Sequence, residues 1–192
     1  MKLYYYFFLL SVIMSACKVQ DLPAPDHNPQ MRYTDLQNAE IKYNQLFVLD
    51  IDGDGSTDFF FSTLLVGDPI LQRDRLQFIA HSKIGTNLLN NDNDQSPVLN
   101  NGDKISLIQT GYEWFELSAI VLAEKITGIT EPVHWAGLWK NATHRYLPVQ
   151  LKKNGKYYHG WIEISFDTIS EKLVLHKSAI SIEATKEIKA GV

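Results

Sequence analysis

The chain holds a single cysteine, Cys17, so no disulfide framework can form within it. It has no basic cluster either. Its 18 Lys and Arg stand against 22 Asp and Glu, a formal net charge of −4, which lacks the electrostatic footprint of a nucleic-acid binder. HExxH, G-x-S-x-G and a phosphate-cradling glycine loop are all missing, so the common catalytic signatures are absent. His27, His81, His134, His144, His159 and His176 show no ligand spacing and read as surface or satisfied strand residues. No amphipathic helix longer than two turns and no fixed-period repeat can be read. Long apolar runs are also missing, with one exception.

That exception is Leu3–Met14, an unbroken apolar and aromatic run save for Ser11, preceded by Lys2. It has the length of a secretory signal core and falls short of the roughly 20 residues that span a bilayer. Met14-Ser15-Ala16-Cys17 follows. This resembles the lipobox of bacterial lipoproteins, with Met14 where Leu is usual. The resemblance implies cleavage before Cys17, acylation of Cys17 and attachment to a membrane. Each buried methylene would contribute about 0.8 kcal/mol, and two or more chains make such attachment stable. Lys18 and Asp21 are similar to the short export signal of Bacteroidetes surface lipoproteins without its paired acids. The implied address is the bacterial outer membrane, at the cell surface or on the periplasmic face.

Behind the cysteine, Lys18–Gln30 carries Pro23, Pro25 and Pro29 among polar residues, a composition suited to an extended tether. Further on, β-branched and aromatic runs alternate with Gly, Asn and Asp clusters about every ten residues, the pattern of an all-β sandwich or barrel-like domain. The expected organisation is a signal peptide over 1–16, a lipidated cysteine and tether over 17–38, and a single antiparallel β domain over 39–192. Strands are expected at 45–49, 59–65, 76–81, 105–109, 115–122, 145–151, 157–166, 173–176 and 179–182. The Asn-rich stretch 87–102 reads as a mobile surface loop.

The sharpest motif is Asp50-Ile51-Asp52-Gly53-Asp54-Gly55-Ser56-Thr57-Asp58, a DxDxDGxxD pattern. Calcium takes six to eight oxygens at about 2.3–2.6 Å, and alternate carboxylates on a tight loop can converge on it. Asp50, Asp52 and Asp54 take loop positions one, three and five. The Ser56 carbonyl takes seven and Asp58 nine, with Gly55 at the turn. An EF-hand would need Glu at position twelve, where Phe61 stands, and helical flanks in place of the strand-like Leu46–Leu49 and Phe59–Phe61. The loop therefore resembles the calcium loops of integrin-type FG-GAP repeats, in one copy, and implies a structural Ca²⁺. Without a metal it would be a solvated hairpin turn.

Asn154-Gly155 signals a type I′ hairpin. Taken as the turn, it pairs Leu151 with Tyr158, Val149 with Gly160 and Leu147 with Ile162 on an apolar face that continues to Ile164 and Phe166. The opposite face pairs Gln150 with His159, Pro148 with Trp161 and Tyr146 with Glu163. Together with the Asp loop and the terminal Ile188-Lys189-Ala190-Gly191, this order is similar to a group of uncharacterised secreted or lipid-anchored bacterial proteins with Asp-rich loops and a YYGWI-like strand. That likeness implies a compact exported β domain and carries no activity. Tyr146, His159 and Trp161 offer an aromatic platform for sugar rings, unless a second layer, such as the segment with Trp135 and Trp139, covers them. Asp167-Thr168-Ile169 resembles the Bacteroidetes O-glycosylation motif, with Thr168 as acceptor.

These readings converge on a lipid-anchored, calcium-stabilised binding or structural module whose partner is a glycan or an envelope protein. The alternative is a glycoside hydrolase using Glu113 with Glu116, or Glu163 with Asp167, as its carboxylate pair. The anchor gives the first prediction. Cys17→Ser should shift the protein from the membrane to the soluble fraction or leave its signal uncleaved, as read by fractionation and mass spectrometry.

Overall fold

A computed structural model describes residues 28–192; Cys17 and the rest of the signal and tether up to His27 lie outside it. Among the described residues there are thirteen strands and no helix. They are β1 (Met31–Ile41), β2 (Phe47–Leu49), β3 (Phe59–Asp68), β4 (Arg73–Ser82), β5 (Thr86–Asn90), β6 (Lys104–Ile105) and β7 (Glu113–Glu116). β8 (Ala119–Gly128), β9 (His134–Ala136), β10 (Arg145–Lys153), β11 (Lys156–Asp167), β12 (Lys172–Ser181) and β13 (Ile188–Lys189) complete the set. A six-stranded sheet in the order β1-β12-β11-β10-β5-β7 faces a five-stranded sheet in the order β2-β3-β4-β8-β9, and β6 pairs with β13 as a small third sheet. Every pairing is antiparallel and no sheet closes. The chain is all-β and sandwich-like, not a barrel.

The Asn154-Gly155 turn has positive φ at both residues, as a type I′ turn requires. It sets the β10–β11 register as the sequence implies, with Leu151 opposite Tyr158, Val149 opposite Gly160 and Leu147 opposite Ile162. Leu147, Val149, Ile162 and Ile164 are fully buried against Phe59, Phe61, Phe78, Ile120 and Leu122 of the facing sheet. This is the main core. At about 25 cal/mol per Å² of apolar area, side chains of this size each contribute on the order of 1.5–3 kcal/mol.

The other face of the hairpin is buried as well. Tyr146 and Trp161 meet edge to face at 5.1 Å, and Ile105, Ala179, Ile188 and Ala190 close over them in a second core. Tyr146, His159 and Trp161 are thus interior: of the two readings of this face, the covering layer holds and the exposed platform does not. Their cover is the β6–β13 layer, not the segment with Trp135 and Trp139. Those two tryptophans pack into or against the main core, Trp135 beside Phe78 and Phe166.

Two further expectations are corrected. The sheet begins at Met31, so residues 31–38 belong to a strand and not to the tether. A bulge with positive φ at Gln37 and Asn38 breaks the alternation that would have revealed it. The supposed mobile loop opens with β5, five residues all buried between β10 and β7. Of the asparagines in this stretch, Asn87 and Asn90 of β5 are interior, and each is paired. Asn87 Nδ2 donates to Gln150 Oε1 at 2.7 Å, and Asn90 Nδ2 to Ser118 Oγ at 2.8 Å, which offsets part of the cost of burying an amide, while Asn90 Oδ1 is left without a partner.

Gly160 tests this packing. A Cβ there would lie 2.8 Å from Ile180 Cδ1 and would overlap the Ala179 carbonyl still more closely. Backbone cannot yield as a side-chain tip can. Gly160→Ala should therefore cost about 1–3 kcal/mol or more, read as a lower urea midpoint with an unchanged slope.

Candidate functional site

The Asp50–Asp58 loop joins β2 to β3. Its ends are tied by Asp58 N–H donating to the Leu49 carbonyl at 2.9 Å and Ile51 N–H donating to Asp58 Oδ2 at 2.9 Å. Ile51 is only 1% exposed and plugs into the main core. That plug fixes the loop on the sandwich, with the acids on either side of it. Gly53 and Gly55 both adopt positive φ, and a Cβ on Gly53 would strike the Arg32 guanidinium at 2.6 Å.

Within this frame Asp50 accepts from the main-chain N–H groups of Gly53, Asp54 and Gly55 at 2.6, 3.2 and 2.7 Å. Asp52 accepts from Asp54 N–H and Asp54 from Ser56 N–H. One carboxylate oxygen each from Asp50, Asp52 and Asp58 gathers within 4.8 Å of the others. Three of the four expected acids thus converge. Asp54 is exposed and turns instead toward Lys153, whose ammonium donates to it at 2.7 Å and also contacts Asp52. Ser56 is exposed at the loop tip.

Charge explains the division. Lys153 and then the Ser56 N–H hold the Asp54 carboxyl below its ordinary range. Asp52 first, then Asp54, raises Lys153 above its own. Asp58 has no such partner and is 7% exposed. Burial pushes its carboxyl up to about 6, opposed by the Ile51 N–H and assisted by the charges of Asp52, Asp50 and Asp54. A carboxylate whose neighbours are carboxylates and whose water has been removed favours a proton or a cation.

Lys153 and Arg32 are the residues the sequence did not signal. Arg32, from β1, donates to the Asp52 carbonyl. Lys153 ends β10, next to the Asn154-Gly155 turn. The two strongest local motifs therefore meet in space, and only the register of β10 within the sandwich brings them together. Beside them lies a cavity of about 230 Å³ bounded by Arg32, Asp52, Lys153, Tyr158 and Ile182.

The remaining candidates fall elsewhere. His159 donates through Nδ1 to the Lys186 carbonyl at 2.8 Å and meets Gln150 Nε2 at 3.2 Å, closing a buried chain from Asn87 through Gln150. Burial holds its imidazole below the usual range. Thr168 is half-exposed in the turn after β11, where Asp167 accepts from Ile169 and Ser170 N–H. The carboxylate pairs are separately engaged. Glu116 accepts from Gly85 N–H, whereas Glu113 lines a polar groove of about 560 Å³ with Asn90, Asp92, Asp94 and Tyr112. Glu163 pairs with His144, and Asp167 caps its turn.

Compared with models of protein families, with curated proteins and with solved structures, the chain shows no match.

Asp58 gives a prediction with a defined sign. Its folded-state value lies above the 3.8 of an ordinary aspartate, so the folded protein holds the proton more tightly than the unfolded chain. Its contribution is most favourable below that pH and is lost as pH rises through about 6. In chelator, Asp58→Asn should melt higher than wild type at pH 7, and the gap should close as pH falls to about 4, near the unfolded pKa of an aspartate. Paired melts across that range check it.

Proposed function

We propose that this chain is a lipid-anchored, calcium-stabilised module of the bacterial cell envelope, acting as a structural or binding domain toward a glycan or another envelope protein. The observation that carries the calcium part is the convergence of Asp50, Asp52 and Asp58 within 4.8 Å, with Asp58 buried. Oxygen-only donors on a short loop suit a hard divalent ion. The anchor rests on Leu3–Met14 and Cys17, and the outer-membrane address rests on the same residues.

With calcium bound, Asp50, Asp52 and Asp58 would supply carboxylate oxygens, Asp54 would join on release from Lys153, and the Ser56 carbonyl would complete the loop's donors. Lys153 competes for two of these acids. The polar groove lined by Asn90, Asn91, Asp92, Gln109, Tyr112 and Glu113 takes the place of the aromatic platform as the glycan-binding surface. Amides and carboxylates there suit sugar hydroxyls, and the half-exposed Phe115 beside them offers a ring face. The glycosidase alternative loses ground because its two pairs are each divided between different partners.

Extracellular modules bind calcium at about 10⁻⁴ to 10⁻³ M. At a calcium concentration one to ten times the Kd, linkage contributes about 0.4–1.4 kcal/mol. Chelation should therefore lower Tm by a few degrees and leave the domain folded. Asp52→Ala should abolish the calcium dependence of Tm. Lys153→Met should tighten binding by about five- to tenfold, since a competing charge about 4 Å away is worth on the order of 1 kcal/mol in water. Calorimetric titration decides the matter: no heat at several millimolar calcium removes the calcium reading, and an affinity unchanged in Lys153→Met removes the competition by Lys153.

A further inference from the structure

A second polar cluster lies on the six-stranded sheet, among β1, β12 and β11, where two irregularities coincide. The β11–β12 register shifts at Glu163/Ile164, leaving His176 as the inserted residue. The β1–β12 register shifts between Asp35 and Ala39, where Gln37 and Asn38 take positive φ of 57° and 54°. Bulges re-aim side chains, and backbone held in this sparsely populated region points to a site that the surrounding structure enforces. Here the two bulges turn Asn38, from β1, and His176, from β12, toward Ser165 of β11.

The distances define a directed chain. Ser165 Oγ lies 2.8 Å from His176 Nε2, and His176 Nδ1 lies 2.6 Å from Asn38 Oδ1. The Asn38 oxygen can only accept, so the proton of a neutral His176 sits on Nδ1 and Nε2 presents its lone pair. The His144 main-chain N–H donates to Ser165 Oγ at 2.9 Å. With that acceptor direction filled, the serine's own hydrogen points at His176 Nε2. Burial, then the neighbouring His144, holds His176 below the usual histidine range, which keeps it in the basic form at neutral pH. The His144 ring stacks on His176 at 4.3 Å and is held by Glu163 at 2.7 Å.

We infer that Ser165 is an activated nucleophile, with His176 as its general base and Asn38 as the positioning residue that orients the imidazole. A nucleophile hydrogen-bonded to a base that a third group orients is the arrangement used for acyl transfer. The matching substrate is a small ester, such as an O-acetyl group on a sugar. Asn38 and His144 are exposed, so the serine is reached from the sheet surface, and a short acyl group on a larger carrier can approach it there.

The steps balance. Ser165 Oγ bonds to the ester carbonyl carbon while its proton passes to His176 Nε2. The tetrahedral adduct collapses, the C–O bond to the leaving alcohol breaks, and that oxygen takes the proton from His176. Water, deprotonated by His176, then releases the carboxylic acid and restores Ser165. This goes beyond the calcium-module reading and does not depend on it.

The test is covalent labelling of the intact domain with a fluorophosphonate, in which a Ser–O–P bond forms and fluoride leaves. Peptide mapping should place the adduct on Ser165, formed roughly 10²-fold faster than on other serines, the scale of general-base assistance. His176→Gln should remove that advantage while the melting curve is retained. Should that variant not fold, Asn38 supplies the comparison. Asn38→Gly tolerates the positive φ and should slow labelling, and Asn38→Asp, which keeps the acceptor oxygen, should restore it. Labelling of Ser165 no faster than that of other exposed serines would overturn the proposal. So would an Asn38→Gly rate equal to wild type, and the chain would then be only a tie across two bulges.

Discussion

Both faces of the β10–β11 hairpin are buried through its middle, over 146–151 and 159–162, and the rest of the molecule is arranged around that fact. A hairpin with one wet face needs a single partner sheet. This one carries Leu147, Val149, Ile162 and Ile164 on one side and Tyr146 and Trp161 on the other, so it needs two. The five-stranded sheet supplies the first cover. The short β6–β13 pair and the Ala190-Gly191 segment supply the second, and Gly191 has room for the Tyr146 ring only because it lacks a Cβ. Among the buried polar residues of the hairpin and its neighbours, Asn87, Gln150 and His159 are joined in a chain, whereas Trp161 Nε1 and Ser178 Oγ are buried without a partner. A half-satisfied chain would destabilise the fold more than an apolar substitute.

The loop at the sandwich end shows a different economy of charge. Four acids within nine residues repel one another, and the fold answers with main-chain N–H groups for Asp50, an ammonium for Asp52 and Asp54, and nothing but Ile51 N–H for Asp58. Lys153 is a flexible, exposed charge and can withdraw at little cost, because exposed ion pairs contribute about 0–1 kcal/mol. Asp58 cannot withdraw. A bound divalent ion would therefore be anchored by the buried acid and gated by the mobile lysine.

What was legible in the sequence follows the same physics. The hairpin register could be read because Asn154-Gly155 admits essentially one turn and side chains alternate strictly from it. The Asp loop could be read because its spacing is local. β5 could not, since its buried asparagines look like loop residues until Gln150 and Ser118 are placed beside them. β12 reads as two strands because His176 is inserted midway and flips the inward face from Leu173 and Leu175 to Ile180. Whether Tyr146, His159 and Trp161 are exposed or covered stays open in the sequence for a related reason: alternation separates two faces but cannot say that both are covered. Lys153, Arg32 and the Ser165–His176–Asn38 chain depend on contacts across the whole fold, and no local pattern announces them.

The pairing of β1 with β12 has one more consequence. Among the described residues, the first strand's sole neighbour in the sheet is the last long strand, so Met31 meets Ser181 and Ile41 meets Leu173. The sheet cannot close around its own beginning until nearly the whole chain is available. Contacts so distant in sequence form slowly, because the loop-closure entropy is lost before they stabilise anything. In a growing chain β1 stays an unpaired edge of this sheet until synthesis has passed β12.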